Sequence, residues 1–305
     1  MTRRPTKETT AGQCYLALQR EGRRTGRPTD ELIQLYALEG FLDRLTKSQY
    51  AENFVLKGGV LLAALDARRP TRDIDFAARR LANDTTLVLT AIREIGAIRI
   101  DDGLTFGADK ATGETIREDD SYSGVRVTLG GALSRATFQM HVDVNIGDPI
   151  WPEPEEIRLP RLLEGELIVR GYSLEMVLAE KIVTAIARGS ANTRWRDFVD
   201  IHELVRRHDI DGRTLRESVL RVAKHREVAA VSLRLVLADY AALAQRRWLA
   251  WLKKQRIESR VPAEFSTVLD LVALFADPSS PPRVRLERGM QSRGAGCPID
   301  APNVG

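Results

Sequence analysis

Cysteine is almost missing from this chain of 305 residues: Cys14 and Cys297 stand near opposite ends and share no metal-binding or redox spacing. That excludes a disulfide scaffold and fits a reducing cytoplasm. No run of eighteen apolar residues free of charge occurs, so no membrane span is expected. The opening MTRRPTKETT lacks the apolar stretch of a secretion signal. Internal repeats are missing too, and neither sign of charge dominates, the net being only +4. What remains is a globular composition, 43% hydrophobic and 29% charged, on a chain long enough for one large or two modest domains.

The most informative stretch is residues 53–78, NFVLKGGVLLAALDARRPTRDIDFAA. It reads as an apolar strand from Phe54 to Leu56, a turn at Lys57-Gly58-Gly59 and a small helix from Val60 to Asp66. A Pro-Thr-Arg corner follows, then a second strand carrying Asp73 and Asp75. Side chains alternate across a strand, so both carboxylates share one face while Ile74 and Phe76 enter the core. Two close carboxylates repel each other unless a cation lies between them, and a hard ion such as Mg²⁺ suits the pair. Paired glycines expose backbone N–H groups and let a bulky anion approach, which favours a phosphate. A phosphate cradle followed by a two-carboxylate strand is the layout of a nucleotidyl-transfer site. On spacing alone, a solvated strand face whose acids pair with nearby arginines fits equally well.

Gly58-Gly59 followed by Thr71-Arg72-Asp73-Ile74-Asp75 resembles the first motif of the polymerase-β-like nucleotidyltransferases. More narrowly, LKGG followed by TRDIDF resembles the AbiEii/AbiGii toxins of type IV toxin–antitoxin systems, the MenT proteins among them. The resemblance implies an α+β fold, with a mixed sheet and flanking helices in an N-terminal lobe (28–150) and an α-helical C-terminal lobe (173–277). A polar segment (1–27) precedes the first lobe, and a Pro- and Glu-rich connection (151–172) joins the two. Residues 278–305, rich in Pro, Gly and Ser, are expected to be disordered.

Other segments fill in this outline. From Pro28, with Thr29 or Asp30 as cap, Leu35, Leu38, Leu42 and Leu45 keep the spacing of a helix face. Asp84 to Ile95 is a second amphipathic pattern, and short alternating runs between about 98 and 147, AIRI the first of them, read as strands. In the last run Val142, Val144 and Ile146 face one way and His141, Asp143 and Asn145 the other. An unpaired Asp143 on a buried strand would be costly. The resemblance makes it a third acidic residue at the metal site; the alternative is an edge-strand Asp facing water. His141 fits packing or hydrogen bonding better than ligation.

After Ser173 as cap, LEMVLAEKIVTAIAR places Lys181, Thr184 and Arg188 on one helix face. Similarity to the family's AEK motif implies that Lys181 binds the nucleotide's phosphates; without it, Lys181 is a snorkelling surface lysine. RWRDFVDI, on a helix from Trp195 to Arg207, resembles the family's third motif and assigns an acidic role to Asp197 first and Asp200 second. Asp200 pairing with Arg196 at i,i+4 is the plain alternative. Further helices are expected at about 211–227, 229–256 and 262–276, with Trp248 and Trp251 packing in the core.

Residues 171–260 hold 18 Lys or Arg against 11 Asp or Glu. Such a basic half attracts a polyanion such as RNA, although solvated helix faces produce the same bias. Taken with the resemblance, the expectation is a toxin-like enzyme, dependent on Mg²⁺ or Mn²⁺, that transfers a nucleoside monophosphate from an NTP to an RNA 3′ end. A tRNA acceptor would be blocked for translation. Asp73, Asp75 and Asp143 would hold metal; Lys57, Gly58, Gly59, Thr71, Arg72, Lys181 and Arg188 would line the nucleotide. Asp143 or Asp197 would bind a second metal or take the proton of the attacking hydroxyl. A phosphate on Thr71 would repel the NTP. A cognate antitoxin is the expected protein partner. Two other classes stay open: modification of a protein or small-molecule hydroxyl, and a non-catalytic RNA- or partner-binding module.

Overall fold

The computed structural model describes residues 5–67, 71–118, 122–276 and 283–284. Its centre is a mixed sheet of eight strands. β1 (Phe54–Lys57) and β2 (Asp73–Ala78) pair antiparallel, and a short helix, α3 (Gly58–Leu61), with a 3-10 turn (Leu62–Leu65) leaves β1. The remaining strands are β3 (Leu104–Phe106), β4 (Thr112–Glu118), β5 (Tyr122–Leu133), β6 (Ala136–Ile146), β7 (Glu155–Pro160) and β8 (Glu166–Gly171). In space the order is β3-β5-β6-β2-β1-β8-β7, with β4 beside β3 on the edge of β5 away from β6. β6 lies parallel to β2 and β8 parallel to β1, so the centre of the sheet joins strands distant in sequence.

One face of the sheet is packed and the other is open around β5, β6 and β2. Ile74, Phe76, Val125, Val127, Val142 and Val144 are fully buried, as the alternation requires. Against the packed face lie α2 (Thr29–Thr46) and α4 (Thr85–Ala97), the latter capped by Asp84, whose carboxylate accepts the N–H groups of Thr86 and Leu87. α2 is buried nearly all round, because α1 (Thr10–Thr25) covers its far side through Tyr15 and Leu18. Its one fully buried cation, Arg44, is matched by Asp102 at 2.6 and 3.1 Å.

The C-terminal half is helical: α5 (Leu174–Arg188), α6 (Trp195–Arg207), α7 (Gly212–His225), α8 (Leu233–Val236), α9 (Tyr240–Gln255) and α10 (Phe265–Ala276). Its interior is aromatic. Trp195 stacks on Tyr240 at 5.8 Å between centroids, and Trp248 on Phe265 at 4.7 Å. Trp248 is fully buried with its indole N–H on the Pro262 carbonyl, and Trp251 stacks on it, so both tryptophans serve packing. Side chains from the sheet and from these helices belong to one contiguous apolar core.

Four details differ from the expectations. The stretch 151–172 is more than a connection, since β7 and β8 form a hairpin that extends the sheet beyond β1. Ile157, Leu159, Leu167 and Val169 alternate into the core there, while Glu155, Glu156, Arg158, Pro160, Glu166 and Ile168 take the exposed positions. The helix after β1 begins at Gly58 rather than Val60. AIRI is no strand, and α4 runs into it as far as Ala97. The expected helix at 229–256 breaks, with α8 and α9 separated by residues 237–239. The disorder expected at 278–305 falls outside the described residues except for β10 (Arg283–Val284), which pairs with β9 (Ile210–Asp211). Among the described residues no helix is long and apolar enough to cross a membrane.

Candidate active site

Four charged side chains form a row across the sheet. Lys57 on β1 is in register with Asp75 on β2, Asp75 with Asp143 on β6, and Asp143 with Arg126 on β5. The order of charge is therefore plus, minus, minus, plus. Asp73 stands two residues along β2 from Asp75, on the same face and in register with His141. The three carboxylates expected from the sequence are thus brought to neighbouring positions.

Each is held differently. Asp75 is half-buried and sits against the Gly-Gly turn. Gly58 has φ +68°, and a Cβ there would lie 1.9 Å from the Asp75 Oδ2, so only glycine lets the backbone pass. Burial pushes the Asp75 carboxyl up to about 6; the Lys57 charge pulls it down, Asp143 and Asp73 add to the rise, and a hydrogen bond from the Gly59 N–H opposes it. Asp143 is buried and gives its two oxygens to Arg126, Oδ1 to Nε at 2.7 Å and Oδ2 to Nη2 at 2.6 Å. Asp73 is the open member, its side chain 41% exposed, with Oδ1 3.0 Å from the His141 Nδ1.

Asp73 and Asp75 fit a divalent cation. They are like charges two residues apart on one strand face, and burial with the neighbouring Asp143 and Asp73 raises Asp75 despite the Lys57 charge. No group of three His, Cys, Asp or Glu side chains converges in metal-holding geometry among the described residues. Mg²⁺ takes one or two carboxylates and completes its shell with water and substrate phosphates, and Asp73 and Asp75 would be the residues to hold it. Asp143, engaged by Arg126, would have to exchange that partner to join them.

Lys57, expected on the phosphate side, has its ammonium inside the protein. Nζ lies 2.9 Å from Asp148 and 2.9 Å from Glu180, and 5.7 Å from the centroid of the Tyr172 ring. Burial alone would lower its pKa, but Glu180 and the other anionic neighbours hold the ammonium well above its ordinary value. Asp148 is lowered in return: burial would raise it, and Lys57, Arg226 and His225 outweigh that. Arg226 also donates to the Thr184 hydroxyl at 2.8 Å.

A second cluster joins α5 to α6. Lys181 Nζ is 2.8 Å from Asp197 and 2.7 Å from Asp200, so Asp200 has a partner on the neighbouring helix. Arg194 adds a contact to Asp197 at 2.7 Å. Burial would raise the Asp197 carboxyl, but Lys181 and Arg194 bring it down to about 2. Arg188 ends α5, half-buried, one turn beyond Thr184.

Beside Asp73 a cleft of about 720 Å³ opens between the start of α2, the corner before β2 and the start of β6. Thr71, Arg72 and Asp73 form one wall, Thr137 and Gln139 another, and Arg196 of α6 reaches in. The Thr71 hydroxyl donates to the Asp73 carbonyl at 3.2 Å, and Gln34 donates to the Arg72 carbonyl at 3.3 Å.

Arg126, Asp148 and Glu180 escaped the sequence reading. Arg126 lies between Val125 and Val127, both buried, so alternation puts it on the open face with the acids; its pairing depends on register, which the residues do not spell out. Glu180 stands inside the AEK motif beside Lys181, and the partner it meets is 123 residues away.

A family model for the nucleotidyl transferase AbiEii toxin of type IV toxin–antitoxin systems matches residues 40–271. Among solved structures, the Helicobacter pylori protein JHP933 aligns over 78% of this chain and 87% of its own, at 16% identity and a TM-score of 0.43. A candidate nucleotidyltransferase from H. pylori aligns over 78% and 89%, at 16% identity and a TM-score of 0.41. At these low scores the assignment rests on the family model. No curated protein matches the chain.

Proposed function

The chain belongs to the AbiEii nucleotidyltransferase toxins of type IV toxin–antitoxin systems, and from that premise we propose that it transfers a nucleoside monophosphate from an NTP to the 3′ end of an RNA. A tRNA acceptor end is the substrate in this reading, and its modification blocks translation until a cognate antitoxin intervenes. The observation that carries the proposal is the placement of Asp73 and Asp75 on an open sheet face directly beside a glycine turn.

In this reaction the acceptor hydroxyl oxygen forms a bond to the α-phosphorus, the bond from that phosphorus to the bridging oxygen breaks, and pyrophosphate leaves. A Mg²⁺ ion held by Asp73 and Asp75 would offset charge on the phosphates and orient them for in-line displacement. Gly58 and Gly59 give the triphosphate close approach to backbone, and Lys181, Arg72 and Arg188 supply positive charge around it. Of the two carboxylates considered as proton acceptors, Asp197 is held down to about 2 and is a weak base. Asp143, in register with Asp75, is placed to take the hydroxyl proton once Arg126 has let go of one oxygen.

The test is incubation of the purified protein and an Asp75→Ala control with Mg²⁺, total tRNA and each α-labelled NTP in turn. Label on tRNA from the intact protein alone is the expected result. Label on protein, or on a small hydroxyl acceptor, would replace RNA as the substrate. A folded protein that binds NTP and labels nothing would overturn the transferase reading.

A further inference from the structure

The open face of the sheet does not end at the carboxylates. Along β6 the side chains of Thr137, Gln139, His141 and Asp143 follow one another on the same face, by the two-residue alternation of a strand. The last two stand opposite Asp73 and Asp75, and the first two line the 720 Å³ cleft. On β5 the neighbours of Gln139 and Thr137 are Gly130 and Ala132, which leave the surface low. A continuous polar track thus leads from the cleft to the acidic pair.

The direction of approach follows from the reaction. Asp75 packs on Gly58 and receives the Gly59 N–H, so the phosphate-binding turn lies on the β1 side of the pair. In-line displacement brings the nucleophile to the side of phosphorus opposite the leaving pyrophosphate. Asp73 is the exposed carboxylate and is itself part of the cleft wall. A hydroxyl arriving through the cleft would meet Asp73 before any other member of the site.

The lining identifies the arriving group. Gln34 and Gln139 each carry both a donor and an acceptor, the pattern that matches the edge of a base, and Thr137 adds a hydroxyl. Arg72 and Arg196 are placed to receive a phosphate that follows, on a lining that also carries Asp30 and Glu31, the latter paired with Arg27. The volume falls within the range of small-molecule pockets. We infer that this cleft seats the 3′-terminal nucleoside of the acceptor strand, an inference that rests on reading the site as a transferase acting on RNA.

The probe is a short RNA with a free 3′-hydroxyl and a photoreactive terminal base, used on the full chain. Crosslinks are expected in residues 136–139 and around Gln34. Gln139 is exposed, so Gln139→Trp fills the cleft without disturbing the core. With its melting temperature unchanged, that variant should lose the crosslink and raise the KM for RNA about tenfold or more, while the Kd for NTP stays the same. The milder Gln139→Leu should shift KM in the same direction. Crosslinks in other segments, or a folded Gln139→Trp with unaltered KM and crosslink, would overturn the inference. Because crosslinking needs no turnover, the two readings separate. RNA seated at β6 without transfer keeps the cleft and rejects the transferase, transfer without that crosslink rejects the cleft alone, and no RNA binding rejects both.

Discussion

Asp143 gives both carboxylate oxygens to a single guanidinium, that of Arg126 on the adjacent strand. The fork fits the carboxylate, and it neutralises the inner of two acids that stand side by side in the sheet. The sheet can therefore fold before any cation arrives.

Replacing Arg126 with Met should cost the metal-free protein about 1–2 kcal/mol, a figure reduced for the partial exposure of the arginine, 35% at its side chain. Mg²⁺ should recover part of the loss by taking over the counter-charge. Thermal melts with EDTA and with Mg²⁺ measure both effects. Equal melting temperatures for the variant and the parent in EDTA would deny Arg126 this role. Arg126→Lys should restore less than the parent value, since an ammonium cannot make the fork.

Gly58→Ala combines a strained φ of +68° with a methyl group aimed at the Asp75 carboxylate. The backbone term alone is about 1–2 kcal/mol. A fall in melting temperature together with loss of nucleotidyl transfer is expected. Transfer at the parental rate would mean that Asp75 tolerates displacement.

Two of the perturbed carboxylates, Asp75 and Asp197, predict opposite pH effects in separate windows. Asp75 rises from 3.8 to about 6 on folding, so between those values the folded chain binds more proton than the unfolded one. Stability of the metal-free protein should fall as pH rises through that window, with the penalty complete above it. Asp75→Asn should flatten this slope. Asp197 falls from 3.8 to about 2, so its stabilisation is present above the upper value and fades as pH drops toward the lower one. Urea titrations at stepped pH resolve the two; a metal-free parent that gains stability from pH 4 to 6 to the same extent as Asp75→Asn would contradict the first.

Lys181→Met would leave Asp197 and Asp200 buried without their shared ammonium, at a cost of about 3–5 kcal/mol. A double-mutant cycle with Asp200→Asn should show coupling of about 1–3 kcal/mol. Additive losses would place the lysine's contribution outside this cluster.

Much of the site was legible because a strand's alternation is a local property. Asp73 and Asp75 on one face, Asp143 opposite the apolar Val142 and Val144, and the glycine turn all follow from neighbours in sequence. The alignment of Asp143 with Asp75 does not, since it depends on a parallel register between β2 and β6. Nor does the fate of Lys57, whose partners lie 91 and 123 residues further on. The β7–β8 hairpin was hidden by composition: proline and glutamate look like a linker until the apolar residues between them are counted by twos. The break near residue 238 leaves no proline or glycine to announce it, and I-to-I+4 spacing simply continues across it.

The buried ammonium of Lys57 draws one carboxylate from the loop that leaves the sheet and another from the first helix beyond it. Separating the two halves would break the Lys57–Glu180 contact and leave Asp148 as the ammonium's remaining carboxylate partner. A fragment ending before α5 would keep the Lys57–Asp148 pair but lose the Glu180 carboxylate and the helix that carries it. The cleft, lined from the start of α2 to Arg196 of α6, therefore spans the same two halves that the Lys57–Glu180 contact ties together.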